Sequence, residues 1–139
     1  MTVVSKTIKL NTKGDTDIIN ITDQVAAALS KSGLIDGVVT VFVSGSTGAL
    51  TTVEYEPGLV QDLKAFFEKI APKTGSYEHN TRWHDGNGYA HVRSSLLGPS
   101  VSAPFAKGLL MLGTWQQIIF IDFDNRPRSR ELIVQIMGE

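Results

Sequence analysis

The run Gly37-Val38-Val39-Thr40-Val41-Phe42-Val43 limits the fold more than any other stretch. Its β-branched and aromatic side chains are stiff at the first torsion, so they resist a helix and suit a pleated surface. A continuous apolar run of this kind is what a strand covered on both faces requires, so it is expected at the centre of a sheet. It leads into Ser44-Gly45-Ser46-Thr47-Gly48, a small-residue turn whose hydroxyls and backbone amides a ligand can approach closely. The same turn serves equally well as a tight reversal, since no Walker or dinucleotide fingerprint accompanies it.

The elements on either side follow from local period. Upstream, Ile8 and Leu10 alternate with Lys9, Asn11 to Asp15 is turn chemistry, and Asp17 to Ile21 resumes an extended run, which together read as a hairpin. Thr22 or Asp23 is placed to cap a short helix through Ala26-Ala27-Ala28-Leu29, with Gly33 as the left-handed residue beyond its end. Downstream, Ala49 to Tyr55 reads as a strand that delivers Glu54 and Glu56. Pro57 then opens an amphipathic helix in which Leu59, Leu63, Phe66, Phe67 and Ile70 keep the helical period until Pro72, with both phenylalanines expected in the core.

Further on, His91 to Leu97 reads as a two-turn helix closed by Gly98-Pro99. Val101 to Phe105, Leu109 to Leu112, Gln116 to Phe123 and Arg130 to Met137 read as strands, with Trp115 a candidate core filler. Asp124 to Arg128 reverses the chain between the last two. The sum is an α+β fold, a β-rich single domain over residues 1–139 with a mostly antiparallel sheet. Its 139 residues and 42% hydrophobic content are enough to bury a core.

Charge and cysteine usage remove several function classes. A net charge of −1 and a pI near 6.3 leave no electrostatic footprint for nucleic acid and no basic face for a membrane surface. The chain has no cysteine, which excludes thiolate chemistry and Cys-based zinc sites and accords with a cytoplasmic protein. No signal peptide or membrane-spanning stretch is read from the pattern.

The chemistry gathers between Tyr77 and His91, which reads Y-E-H-N-T-R-W-H-D-G-N-G-Y-A-H and holds all three histidines. Polar throughout and without an apolar period, it reads as a loop, where functional side chains concentrate. His79, His84, Asp85 and His91 are ligands of the kind that hold a divalent metal, Mg²⁺ or Zn²⁺ among them, although their spacing matches no standard metal motif. A histidine beside a carboxylate can equally act as a general acid or base, and Glu54 arrives from the preceding strand. Arg93 and the hydroxyls of Ser94, Ser95, Ser46 and Thr47 are suited to phosphate oxygens. Arg126, Arg128 and Arg130 could also pair with phosphate, but alternating arginines after a turn more often make a solvated edge that blocks strand pairing. Trp83 and Trp115 could stack on a heteroaromatic ring.

The runs Y-E-H-N at Tyr77 to Asn80, A-H-V-R-S-S-L-L-G-P-S at Ala90 to Ser100, L-G-T-W-Q at Leu112 to Gln116 and the closing V-Q-I-M-G-E resemble the YjbQ-like family over essentially the whole chain. The resemblance implies a compact β-sandwich with helices, assembled as a homotrimer, and a weak, secondary thiamine-phosphate synthase activity, which is a transferase reaction. It implies catalytic roles for Glu54, His79, Asp85 and His91, a ligand site including Asn80, Arg93, Ser94 and Ser95, and a phosphorylated small molecule as partner. Many members carry a histidine where this chain has Gly45. Two other readings stay open: a non-catalytic trimeric module that binds a metal or metabolite, and a metal-dependent hydrolase.

Overall fold

The structure is a computed structural model describing all residues, Met1–Glu139. In chain order its elements are β1 (Thr2–Thr12), β2 (Asp17–Asn20), α1 (Thr22–Ser32), β3 (Gly37–Val43), β4 (Gly48–Glu54), α2 (Pro57–Ile70), α3 (Glu78–Trp83), α4 (Gly88–Leu97), β5 (Ser100–Ala106), β6 (Leu109–Leu110), β7 (Gln116–Asp122) and β8 (Arg128–Gly138). The strands form a five-stranded sheet in the order β1-β8-β3-β5-β6 and a three-stranded sheet in the order β2-β7-β4. Every pairing is antiparallel, which confirms the α+β class.

Alternation along the strands builds the layers. Val39, Val41 and Val43 of β3 and Leu132, Val134 and Ile136 of β8 point inward, where they meet Leu50, Ile118 and Phe120 of the smaller sheet. Val25, Ala28 and Leu29 of α1 pack into this same core. The opposite face of the small sheet, with Ala49, Ile119 and Ile121, is covered by Phe67 of α2 and by Tyr89 and Ala90 of α4. The small sheet is thus the middle layer, and β7, buried from Ile118 to Asp122, is the strand covered on both faces.

Strand β3 lies at the centre of its sheet as the composition suggested, but it is covered on one face only. Val38 and Phe42 point outward beside Met137 and Ile133 of β8, and all four side chains are exposed. The expected opening hairpin does not form, because β1 pairs with β8 and β2 with β7, in different sheets. The helix α1 is not capped by Thr22 or Asp23 side chains; the Thr22 hydroxyl instead accepts from the Ile118 N–H at 2.8 Å. Gly33 does close the helix in the left-handed region, with φ of 74°. In α2 the Glu56 carboxylate caps the N-terminus by accepting from the Gly58 and Leu59 N–H groups, which holds its pKa below the ordinary value.

Other differences trace to tertiary packing. Phe67 is core but Phe66 faces solvent, since adjacent helical positions lie about 100° apart. Trp115 fills no core and is 74% exposed. The polar stretch from Tyr77 contains helix α3, and α4 begins at Gly88, three residues before His91. The chain therefore has four helices rather than the two main helices and one short helix read from the sequence.

The sandwich places two turns side by side at one end. Gly48 at the start of β4 pairs with Asp122 at the end of β7, and the Phe123 N–H donates to the Thr47 carbonyl at 2.9 Å. The β3–β4 and β7–β8 turns are thereby fastened together. Because Phe120 is fully buried between the sheets, Phe120→Ala is expected to lower unfolding free energy by about 3–5 kcal/mol in urea denaturation, whereas Trp115→Ala should stay within about 0.5 kcal/mol.

Candidate functional site

A cavity of about 530 Å³ opens where the two turns meet the connection from α3 to α4, and no hydrophobic residue lines it. Ser44, Gly45, Ser46 and Thr47 supply the β3–β4 turn wall. Asp85, Asn87 and His91 supply a second, and Asp124, Asn125, Arg126, Arg128 and Arg130 of the β7–β8 region a third.

The third wall is built on buried charge. Asp122 has no exposed surface, and Arg130, 7% exposed, donates to it from Nε at 2.8 Å and from Nη2 at 2.9 Å. Nη2 also donates to Thr47 Oγ1 at 2.8 Å, and that hydroxyl donates to Asp124 Oδ2 at 3.0 Å. Arg128 Nη1 donates to the same Asp124 oxygen at 2.7 Å. Burial pushes the Asp124 carboxyl up, but the Thr47 hydroxyl, the Asn87 carboxamide and the Arg128 guanidinium outweigh it and leave the pKa below the ordinary value. Asp124 Oδ1 is buried and accepts no hydrogen bond.

On the second wall, α4 projects His91 toward the cavity. The His79 ring lies 4.4 Å from it, centroid to centroid, and His79 Nδ1 is 3.5 Å from Asp85 Oδ1. Burial and the neighbouring His79 lower the His91 pKa, more than Asp85, Asp124 and the Ser46 carbonyl raise it. The imidazole facing the cavity is therefore neutral at neutral pH.

Of the residues singled out from sequence, the structure brings Ser46, Thr47, Asp85 and His91 to the cavity, with His79 directly behind. His84 does not join them; it is the exposed residue that ends α3, with φ of 55°. No group of three or more His, Asp and Glu side chains is arranged to hold a metal ion, so a resident metal bound by His79, His84, Asp85 and His91 does not fit. Glu54 is also elsewhere: it pairs with Gln116 six residues along β4 from Gly48, about 20 Å away at strand rise, beside Trp115.

Arg93, Ser94, Ser95 and Asn80 have structural partners instead of facing the cavity. Arg93 is buried, donating from Nε to the Ala71 carbonyl at 2.9 Å, from Nη1 to Thr16 Oγ1 at 2.9 Å and from Nη2 to Glu68 at 2.8 Å. The loop it holds donates from Asp15 N–H to the Asp124 carbonyl, so Arg93 braces the cavity turn from behind. Ser94 donates to the Gly48 carbonyl, Ser95 to the His91 carbonyl, and Asn80 Oδ1 accepts from the Gly88 N–H.

Sequence reasoning gave no site role to Asn87, Asp124 and Asn125, and it favoured a solvated edge for Arg126, Arg128 and Arg130. Strand β8 is flanked by β1 and β3, so it is no edge, and only Arg126 is well exposed. The available signal was the spacing itself: Asp122, Asp124, Arg128 and Arg130 sit at alternate positions on both sides of one turn, which puts them on a common face.

Fold and cavity together define a small α+β protein with an arginine-lined polar pocket where the turns of two stacked sheets converge. The chain belongs to the family described as UPF0047 protein YjbQ-like, whose profile matches residues 6–139. It is 41% identical over 130 residues to a UPF0047 protein of Archaeoglobus fulgidus, covering 94% of this chain and 98% of that one. It is 33% identical over 135 residues to the UPF0047 protein YugU of Bacillus subtilis, covering 96% and 98%. Among solved structures, a YbjQ-like protein of unknown function from Sulfolobus solfataricus superposes with a TM-score of 0.94 at 33% identity over 99% of both chains.

The pH behaviour of His91 provides a direct check. Unfolded, its imidazole takes a proton near the ordinary value of about 6.5; folded, it does so only at lower pH. The unfolded state thus binds more protons between the two values, so this contribution to stability is intact above about pH 6.5 and falls away as pH descends toward the folded pKa. NMR titration should place His91 below 6.5, and His79→Ala should move it back up.

Proposed function

We propose that the cavity binds a phosphorylated small molecule and that His91 transfers a proton to or from it. The observation that carries this reading is the lining: three arginines and one near-neutral imidazole share a cavity with no apolar wall. Guanidinium groups fork onto phosphate oxygens, and an imidazole with a lowered pKa is a competent base at neutral pH. His79 packs against the His91 ring from behind, and Asp85 on the same wall would balance the charge His91 gains.

The reaction implied by the family resemblance joins hydroxymethylpyrimidine diphosphate to a thiazole phosphate and releases diphosphate. Such chemistry needs cationic groups against the leaving diphosphate and little covalent help. Arg126 and Arg128 meet that need, Arg128 with only Nη1 engaged. A Mg²⁺ ion arriving with the diphosphate fits better than a resident one, because Mg²⁺ is commonly held by one or two carboxylates plus substrate phosphates, and Asp85 is the carboxylate available. Bound there, it would neutralise charge on the leaving group.

Incubating the protein with both phosphorylated substrates and Mg²⁺ should give slow thiamine phosphate formation above background. His91→Gln should reduce it about 100-fold or more, and Arg128→Ala should weaken substrate binding at least about tenfold. Pyrophosphate binding without any product would favour the non-catalytic module, and phosphate release from simple phosphomonoesters would favour a hydrolase.

The implied homotrimer is also part of this proposal. Val38, Phe42, Ile133 and Met137 make an exposed apolar band on the outer face of the five-stranded sheet, and β3 has the composition of a strand covered twice. Light scattering should give three times the chain mass of 15.1 kDa, and Phe42→Glu should lower it.

A further inference from the structure

Arg130 is more than nine-tenths buried, yet its hydrogen bonds use only Nε and Nη2. Nη1 has no protein partner, and it faces the β3–β4 turn: a Cβ built on Gly45 would lie 3.1 Å from it. Gly45 is not at positive φ, so backbone conformation does not require glycine there. What glycine provides is a close approach of the turn to the guanidinium with no side chain covering its Nη1 edge.

The turn around that space has donors to spare. The backbone N–H groups of Ser44, Gly45, Ser46 and Thr47 donate to no backbone carbonyl, and all four residues line the cavity. Ser44, Gly45 and Ser46 are exposed and Thr47 is buried, so the amides are open to a ligand, and successive unpaired amides beside a fixed cation favour an anion. Both sets of donors are held still, the amides by the turn and the guanidinium by Asp122, so little ordering is lost on binding.

We infer that the Ser44–Thr47 turn and the Nη1 edge of Arg130 form one oxyanion subsite for a tetrahedral phosphate group, and that Gly45 keeps it open. This rests on the phosphate reading above and narrows it. Arg126 and Arg128 then lie on the outer side of the bound group, where a second phosphate of a diphosphate would sit. Inorganic phosphate would fill the inner position alone, whereas pyrophosphate would engage both.

The test is calorimetric titration of wild type, Gly45→Ala and Gly45→Val with inorganic phosphate and with pyrophosphate. Melting curves confirm that the variants fold, and ¹⁵N NMR follows the Ser44–Thr47 amides. Gly45→Val should weaken binding of either anion at least about tenfold, the weight of one charge-assisted hydrogen bond, with Gly45→Ala intermediate and the four amide signals moving in wild type. Arg128→Ala should weaken pyrophosphate more than phosphate. Unchanged affinity in folded Gly45→Val, or phosphate binding that leaves the four amides unmoved, would overturn the subsite while leaving the wider reading standing. No binding of either anion by wild type would overturn both.

Discussion

Asp122 ends the most deeply buried strand with a carboxylate that has no contact with solvent, and an isolated charge in that position would not be tolerated. Arg130, eight residues on in the neighbouring sheet, meets both of its oxygens. A buried pair of this kind contributes little net stability over an apolar alternative, so its presence is better explained by what it positions. It ties the end of the small sheet to the start of β8, and through Thr47 it reaches the turn after β3 and the second buried carboxylate, Asp124.

From that network the cavity takes its character. Asp124 in its wall and Asp122 behind it are engaged by guanidinium or hydroxyl donors, which leaves the remaining arginine N–H groups, the turn amides and Asp124 Oδ1 without partners. The brace behind the site is equally specific. Asp15 and Thr16 hold positive φ, an uncommon conformation for a β-branched residue, and they do so between Arg93 and the Asp124 carbonyl. Arg93 thus serves the site by holding the strained loop that shapes the arginine turn.

How much of this was legible in sequence depended on whether the determinant was local. The helix of α2, with Pro57 at its start and Pro72 beyond its end, follows from short-range period, and its bounds agree with the structure. The run of β3 marked a central strand correctly but pointed to cover on both faces, whereas within the chain its outer face, with Val38 and Phe42, is exposed. The first two strands looked like a hairpin because turn residues separate them, and nothing local reveals that they join different sheets. His79, Asp85 and His91 were recognised because they cluster in sequence. Arg130 and Asp124 were not, because they meet at Thr47, 83 and 77 residues away. Arg93 looked like a phosphate ligand for the opposite reason: its true partners at Thr16, Glu68 and Ala71 are invisible until the chain folds.

The most direct measurement of the central claim is a crystal structure of the protein soaked with pyrophosphate. The account predicts one phosphate within hydrogen-bond distance of Arg130 Nη1 and of amides from Ser44 to Thr47, with the other against Arg126 and Arg128. Pyrophosphate bound only in the lysine-lined groove between β1 and α1, at Lys6, Lys9 and Lys31, with the polar cavity holding water, would contradict it.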